Sequence, residues 1–120
     1  MSDTLFGIHG AALELRGARM GLLSSNIANA ATPGYKARDI DFAAALKAST
    51  SGNNFGGSNL GQAIAGATRF RAPVMPALDG NTVEMATEQT AFAENAVGYS
   101  ATLSFIKDRV GATLRALKGE

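Results

Sequence analysis

A helical pattern runs into two residues that cannot continue it, Pro33 and Gly34, and this stop constrains the fold more than any other feature. Proline lacks the backbone N–H that a helix needs and disfavours the helical conformation at the residue before it. A helix that arrives from the N-terminus must therefore end by about Ala31. Proline followed by glycine suits a type II turn, in which the glycine takes a positive φ. The chain is expected to leave this turn in a new direction at Tyr35.

The residues before this stop predict one long helix over about residues 3–30, within an N-terminal segment of residues 1–31. Apolar or small residues recur there every three or four positions, as on one face of a helix. Gly17 and Gly21 lie inside the pattern, where each glycine costs up to ~1 kcal/mol relative to alanine. Close approach of a neighbouring helix would offset that cost. Small residues also lie on the faces away from this pattern, where they suit burial against further helices, so we infer a subunit of an assembly.

A second long helix is predicted within the C-terminal segment, residues 79–120. Asp79 and Gly80 form a turn, Asn81 can cap the helix, and Glu84 stands three residues later in the spacing of a capping box. The apolar positions that follow alternate by threes and fours, with the heptad spacing of a coiled coil. They predict a helix-packing seam formed by Phe92, Tyr99, Leu103, Ile106, Val110 and Leu117.

The stretch between these helices is predicted to be less regular. Residues 32–48 read as the turn and a short helix capped by Asp39 or Asp41. Residues 49–78 read as a flexible Gly/Ser/Asn-rich loop followed by an extended segment, from which two prolines exclude a helix. The expected fold is a single, mainly all-α domain over residues 1–120. Its two long terminal helices pack as an antiparallel, coiled-coil-like hairpin.

The composition argues against catalysis and ligand binding. Without cysteine the chain has no thiolate metal site, and its one histidine, His9, lies inside the first helical pattern. No nucleophile elbow, phosphate loop or paired ligand spacing accompanies that histidine. Helix starts and a solvated face explain the carboxylates Asp39, Asp41, Glu84, Glu88 and Glu94. We predict no catalytic residue, no metal, no cofactor and no small-molecule substrate.

Charge and hydropathy narrow the class further. Eleven basic residues are spread among ten acids, for a net charge of +1, so no nucleic-acid partner is expected. No apolar run approaches the ~18 residues of a membrane span. The N-terminus carries the acidic Asp3 and lacks the apolar core of a signal peptide. These features alone would indicate a cytoplasmic protein.

Residues 26–36, Asn-Ile-Ala-Asn-Ala-Ala-Thr-Pro-Gly-Tyr-Lys, closely resemble the N-terminal signature of bacterial flagellar rod and hook proteins. Residues 37–42 and residues 78–84 strengthen the resemblance, because they follow in the same order. The resemblance implies a structural, non-enzymatic subunit of the proximal rod of the basal body, which assembles helically and transmits torque to the distal rod. It also implies export to the periplasmic rod through a type III apparatus, without a cleaved signal peptide.

The same resemblance implies partners and contact residues. The expected neighbours are copies of the chain, other rod proteins, the basal adaptor protein FliE, the export gate and the membrane-ring proteins. Asn26 and Asn29 could cap the helix end or bond to a neighbouring chain. The signature residues expected to shape subunit contacts are Asn26, Ile27, Asn29, Thr32, Pro33, Gly34 and Tyr35.

Phe42 and Leu46 match a pattern that the export gate recognises in rod and hook subunits, a phenylalanine followed four residues later by an apolar residue. Alternatively, these two residues form one face of the short helix and pack in the finished rod. Two alternatives to a proximal rod subunit also stay open at this point. One is another flagellar rod protein, and the other is a cytoplasmic coiled-coil adaptor or chaperone.

Overall fold

A computed structural model describes residues 7–50 and 57–119 of the chain. The molecule is elongated, with principal extents of 64 × 27 × 18 Å. Its elements, in chain order, are α1 (Ile8–Ala28), β1 (Arg38–Ile40), α2 (Phe42–Thr50), α3 (Gly57–Ala67), β2 (Thr68–Phe70) and α4 (Met85–Lys118).

Helix α1 ends at Ala28, three residues before the limit that Pro33 sets. Gly34 takes a φ of +75°, as the type II turn requires. The backbone N–H of Tyr35 donates to the carbonyl of Thr32 at 3.2 Å and closes this turn. The end of the first helix and the turn are thus confirmed.

Helix α4 runs without interruption for 34 residues and lies antiparallel to α1. Asn26 near the end of α1 contacts Glu88 near the start of α4, while His9 contacts Phe105. This arrangement confirms the predicted hairpin. The predicted capping box is wrong, because Glu84 occupies the N-cap position and makes no side-chain cap hydrogen bond. Beyond Lys118, Gly119 ends the helix in the left-handed conformation.

Helix α3 corrects the prediction of a flexible loop over residues 49–66, because residues 57–66 are helical. Residues 51–56 of that loop lie outside the described residues. The apolar residues of α3 are spaced at intervals of three, one and three, which places Leu60, Ala63, Ile64 and Ala67 on one face. Leu60 and Ala67 belong to the hydrophobic core. Burial of this face outweighs the poor helix propensity of the Gly, Ser and Asn residues around it.

The short helix α2 and a two-stranded ribbon complete the core. The Asp41 carboxylate caps α2 by accepting the backbone N–H of Ala44 at 3.1 Å, as one of the two predicted alternatives required. Strands β1 and β2 pair antiparallel, with Asp39 opposite Arg69. Strand β2 forms the start of the predicted extended segment. The buried residues at the centre of the core are Leu15, Ile40, Ala45, Leu60 and Ala67.

Candidate functional site

We define residues 26–36 as the signature region. Asn26 is its first residue, and the hydrogen bonds of its side chain join it to β1 and α4. Its side chain is fully buried. The amide Nδ2 donates to the carbonyl of Arg38 at 2.8 Å and to Glu88 Oε2 at 2.9 Å. The amide Oδ1 accepts the backbone N–H of Arg38 at 3.1 Å. Asn26 therefore pairs with strand β1 as a neighbouring strand would, and also reaches α4. The two hydrogen bonds to Arg38 need a donor and an acceptor in one side chain, and neither a carboxylate nor an alkyl group provides both.

A chain of alternating charges, the ionic network, continues from Glu88 through Arg71 and Asp39 to Arg19. Glu88 Oε1 accepts a hydrogen bond from Arg71 Nη1. Arg71 Nη2 donates to Asp39 Oδ2 at 2.8 Å, and Arg19 Nε donates to Asp39 Oδ1 at 2.8 Å. Glu88 has no exposed side-chain surface, whereas the other three keep 17–21% of theirs. The buried carboxylate of Glu88 thus depends on its partners within the chain.

The electrostatics of the network favour the charged form of Asp39. Burial alone would raise the pKa of the Asp39 carboxyl, but hydrogen bonds from Arg19, Arg71 and the backbone N–H of Ile40 outweigh it. Together they hold that pKa below its ordinary value of 3.8. The hydrogen bond to Asp39 in turn raises the pKa of Arg19. This pair is therefore fully ionised at neutral pH, and it ties α1 to β1.

Asn81 donates hydrogen bonds to the backbone just beyond the end of α1, although the sequence predicted that it would cap α4. Its Nδ2 lies 3.0 Å from the carbonyl oxygens of Asn29 and Ala30 and 2.8 Å from that of Thr32. Carbonyl groups at and beyond a helix C-terminus lack intrahelical donors. Asn81 is itself buried. It therefore serves the end of the first helix rather than the start of the second.

The signature region is also bonded to residues 80–82 through the backbone. The N–H of Thr82 donates to the carbonyl of Tyr35 at 2.9 Å, and Thr82 Oγ1 accepts the N–H of Ala37 at 2.7 Å. Lys36 Nζ donates to the carbonyl of Gly80 at 2.6 Å. The signature region and the later motif at residues 78–84 lie about 45 residues apart in sequence, and these hydrogen bonds join them into one structural unit.

The predicted signature residues fall into an inward and an outward group. Asn26 is buried, while Ile27, Asn29 and Tyr35 are half-buried. Asn29 Nδ2 donates to the carbonyl of Ser25 at 2.8 Å, and the Tyr35 hydroxyl lies 2.9 Å from Ser25 Oγ. The outward group consists of the exposed residues Thr32, Pro33 and Gly34.

The predicted seam of α4 is only partly covered by this chain. Phe92, Tyr99, Leu103 and Ile106 are half-buried, whereas Val110 and Leu117 are exposed. The fully covered positions of α4 are polar and seven residues apart: Glu88, Asn95 and Thr102.

Asn95 and Gly98 set the close approach of α4 to α1. Asn95 Nδ2 donates to the carbonyl of Arg16 at 2.8 Å. A Cβ on Gly98 would lie 2.5 Å from the Arg16 guanidinium, so a side chain at this position requires Arg16 to move. Polar and small residues therefore hold the middle of the hairpin together.

Phe42 and Leu46 pack against the hydrophobic core from α2, and both are half-buried. The Cζ atom of Arg16 lies 4.2 Å from the centroid of the Phe42 ring, in the geometry of a cation–π contact. The folded chain thus uses both residues for packing, whatever their role before folding.

His9 has an aromatic neighbour rather than a catalytic one. Its ring centroid lies 5.5 Å from that of Phe105, with the rings tilted by 42°. Within residues 7–50 and 57–119, no group of three His, Cys, Asp or Glu side chains could hold a metal ion. The carboxylate prediction needs two corrections, because Glu88 is buried in the ionic network and Asp39 lies in strand β1 as a member of the same network.

Comparison with known proteins bears directly on this signature region. Residues 7–36 match a family model described as flagella basal body rod protein. The chain is 50% identical over 123 residues to the flagellar basal body rod protein FlgB of Cereibacter sphaeroides, covering 95% of this chain and 94% of the relative. The chain belongs to the FlgB family. It is also 41% identical to the FlgB protein of Aeromonas hydrophila, covering 98% of this chain and 96% of the relative. For the FlgB protein of Escherichia coli K12 the identity is 39%, over 89% and 88%.

As a member of the FlgB family, the chain is a structural protein of the flagellar basal body rod. The 30 matched residues contain α1 and the whole signature region, so the family model covers the helix end and the turn that Asn26, Asn29 and Tyr35 organise. Among the described helices of this FlgB-family chain, none is long and apolar enough to cross a membrane.

Sequence reasoning missed several contributions to the site, among them those of Arg71 and Glu88. It did not assign Arg71 to the signature region, and it placed Glu88 in solvent. A search for heptad spacing among polar residues would have found Glu88, Asn95 and Thr102, because that spacing marks one helix face regardless of polarity. No comparable local signal marks Arg71, which reaches the site through the ribbon of this FlgB-family fold.

Proposed function

We propose that this chain is a structural, non-enzymatic subunit of the proximal rod, which packs with copies of itself in a helical array and transmits torque from the membrane ring to the distal rod. The supporting observation is a group of exposed apolar side chains in the segment from the end of β2 to the turn before α4. They are 71–110% exposed: Phe70, Val74, Met75 and Leu78. Large apolar side chains that are exposed close together in sequence are typical of protein interaction sites.

The proposed neighbours are copies of the chain, other rod proteins, FliE, the export gate and the membrane-ring proteins. Thr32 and Pro33 are exposed residues of the hydrogen-bonded turn in the signature region, and we propose them as subunit contacts. A rigid turn suits this role, because a pre-organised surface loses little conformational entropy when it binds.

An epitope-tagged chain in a motile cell tests the function. We expect the tagged chain to copurify with basal bodies, and its intact mass there to show that no signal peptide was removed. Leu78→Asp should abolish this incorporation, because it places a charge in the proposed contact surface. Leu78→Met is the matched control and should incorporate normally. A chain that stays soluble in the cytoplasm would contradict the proposal.

We also propose that the export gate recognises Phe42 and Leu46 before the chain folds. In the folded chain these residues pack on the core, so the two roles are separated in time. Phe42→Ala should lower secretion from cells that cannot complete the rod. Secretion at the level of the unmodified chain would leave Phe42 with a packing role alone.

A further inference from the structure

The last turns of α4, residues 107–118, which we call the tail, expose an apolar stripe. Val110, Leu114 and Leu117 are four and three residues apart, so they share one face of the helix. Leu114 is 49% and Leu117 is 79% exposed. Earlier along α4, this face packs on α1. His9, near the start of the described part of α1, contacts Phe105, so the tail extends past it.

The tail is also basic. Lys107 precedes Val110 by three residues, and Lys118 follows Leu114 by four, so both lysines lie on the face of the apolar stripe. Its charged residues are four bases and one acid: Lys107, Asp108, Arg109, Arg115 and Lys118. The tail is therefore a convex apolar ridge with positive charge at both ends.

A groove between α1 and α3 has the opposite character. Glu14, Leu60, Gly61 and Ile64 line this groove of about 320 Å³, which we call the α1–α3 groove. Leu60 is buried and Ile64 is half-buried, while Glu14 is exposed. A Cβ on Gly61 would meet no neighbouring element of the chain within 4 Å. The groove is therefore lined by apolar side chains with one exposed carboxylate, Glu14, and it has free space at Gly61.

We propose that the tail of one copy docks in the α1–α3 groove of a second copy, with Glu14 paired to Lys107 or Lys118. The apolar stripe covers Ile64 and the open surface at Gly61, and one of the lysines meets the acidic side chain. Tail and groove are different surfaces of the chain. The contact is therefore heterologous, and it adds copies in a helical series wherever the rotation between them does not close a ring. This inference rests on the proposed function, because it requires copies of the chain to associate.

Disulfide trapping tests the contact, since the chain has no cysteine of its own. Purified Gly61→Cys and Leu117→Cys variants are mixed under mild oxidation. We expect the disulfide between positions 61 and 117 to form at least tenfold faster than one between Gly61→Cys and Ala101→Cys, a control on another exposed position of α4. Equal rates, or a dominant disulfide between two copies of Leu117→Cys, would overturn the proposal.

Charge exchange separates docking from an effect on folding. Glu14→Lys in the groove copy, or Lys107→Glu with Lys118→Glu in the tail copy, should slow the cross-linking several-fold. Mixing the two charge-reversed copies should restore the rate, which a folding defect would not allow. Absence of restoration would count against the pairing. If the cysteine variants enter basal bodies yet never cross-link, the rod function stands and this contact fails. If they cross-link in solution but never enter basal bodies, the reverse holds.

Discussion

Replacing Glu88 with leucine tests whether the ionic network joins α4 to the signature region. The Glu88 side chain is fully buried and receives hydrogen bonds from Asn26 and Arg71. Removing one member of a buried ion pair typically costs about 3–5 kcal/mol. Arg71 would still keep Asp39 as a partner at 2.8 Å, and 17% of its side chain is exposed. We therefore expect the low end of that range, a loss of about 3 kcal/mol in the free energy of unfolding.

Urea denaturation followed by far-ultraviolet circular dichroism measures this loss. A change of about 3 kcal/mol lowers the folding equilibrium constant by roughly 150-fold. Glu88→Gln keeps the shape and one hydrogen-bond acceptor but removes the charge, so it should cost about half as much. Asp108→Leu, at an exposed position of the same helix, is the matched control and should change stability by less than about 0.5 kcal/mol.

The reasoning would be refuted by a Glu88→Leu variant as stable as the control. That result would mean that the new apolar side chain packs well enough to replace the network. Alternatively, it would mean that Arg71 needs no partner other than Asp39. The double substitution with Arg71→Leu distinguishes these two explanations, because it removes the guanidinium whose charge is left uncompensated.

Four further expectations follow from the same structure. The pKa of Asp39 is lower in the folded chain than its ordinary value of 3.8, so its contribution to stability is complete above that value and is lost as the pH falls through the folded value; Asp39→Asn should remove this acid dependence in urea titrations at several pH values. Gly34→Val should destabilise the chain more than Gly34→Asn, because a β-branched residue resists a φ of +75°, and equal losses in denaturation would contradict this. Asn81→Ala should cost about 1–2 kcal/mol in the same assay, since it removes a buried donor shared by three carbonyls near the end of α1. Ile106→Asp should block rod assembly, because it puts a charge on the half-buried face of α4, and normal swimming motility would remove this residue from the seam.

The features that the sequence alone determined depend on the backbone chemistry of single residues or on long periodic patterns. Pro33 ends α1 because it removes a donor and restricts its neighbour, and Gly34 completes the turn. The long period of α4 predicted an uninterrupted helix, which extends to Lys118. The signature of residues 26–36 indicated the family before any contact was known. None of these inferences required knowledge of which distant residues meet.

Tertiary structure alone decided the partners. Residues 57–66 form a helix because the core covers one face of it, against the local preference of Gly, Ser and Asn. Asn81 has the chemistry of an N-cap, yet it bonds to carbonyls about 50 residues earlier. It does so because the fold places the end of α1 and the turn that follows it beside Asn81. Glu88 could be accepted into the interior only because Asn26, 62 residues away in sequence, and Arg71 meet it there. A buried polar group is stable only with its partners in place, and those partners are brought together by the fold rather than by sequence proximity.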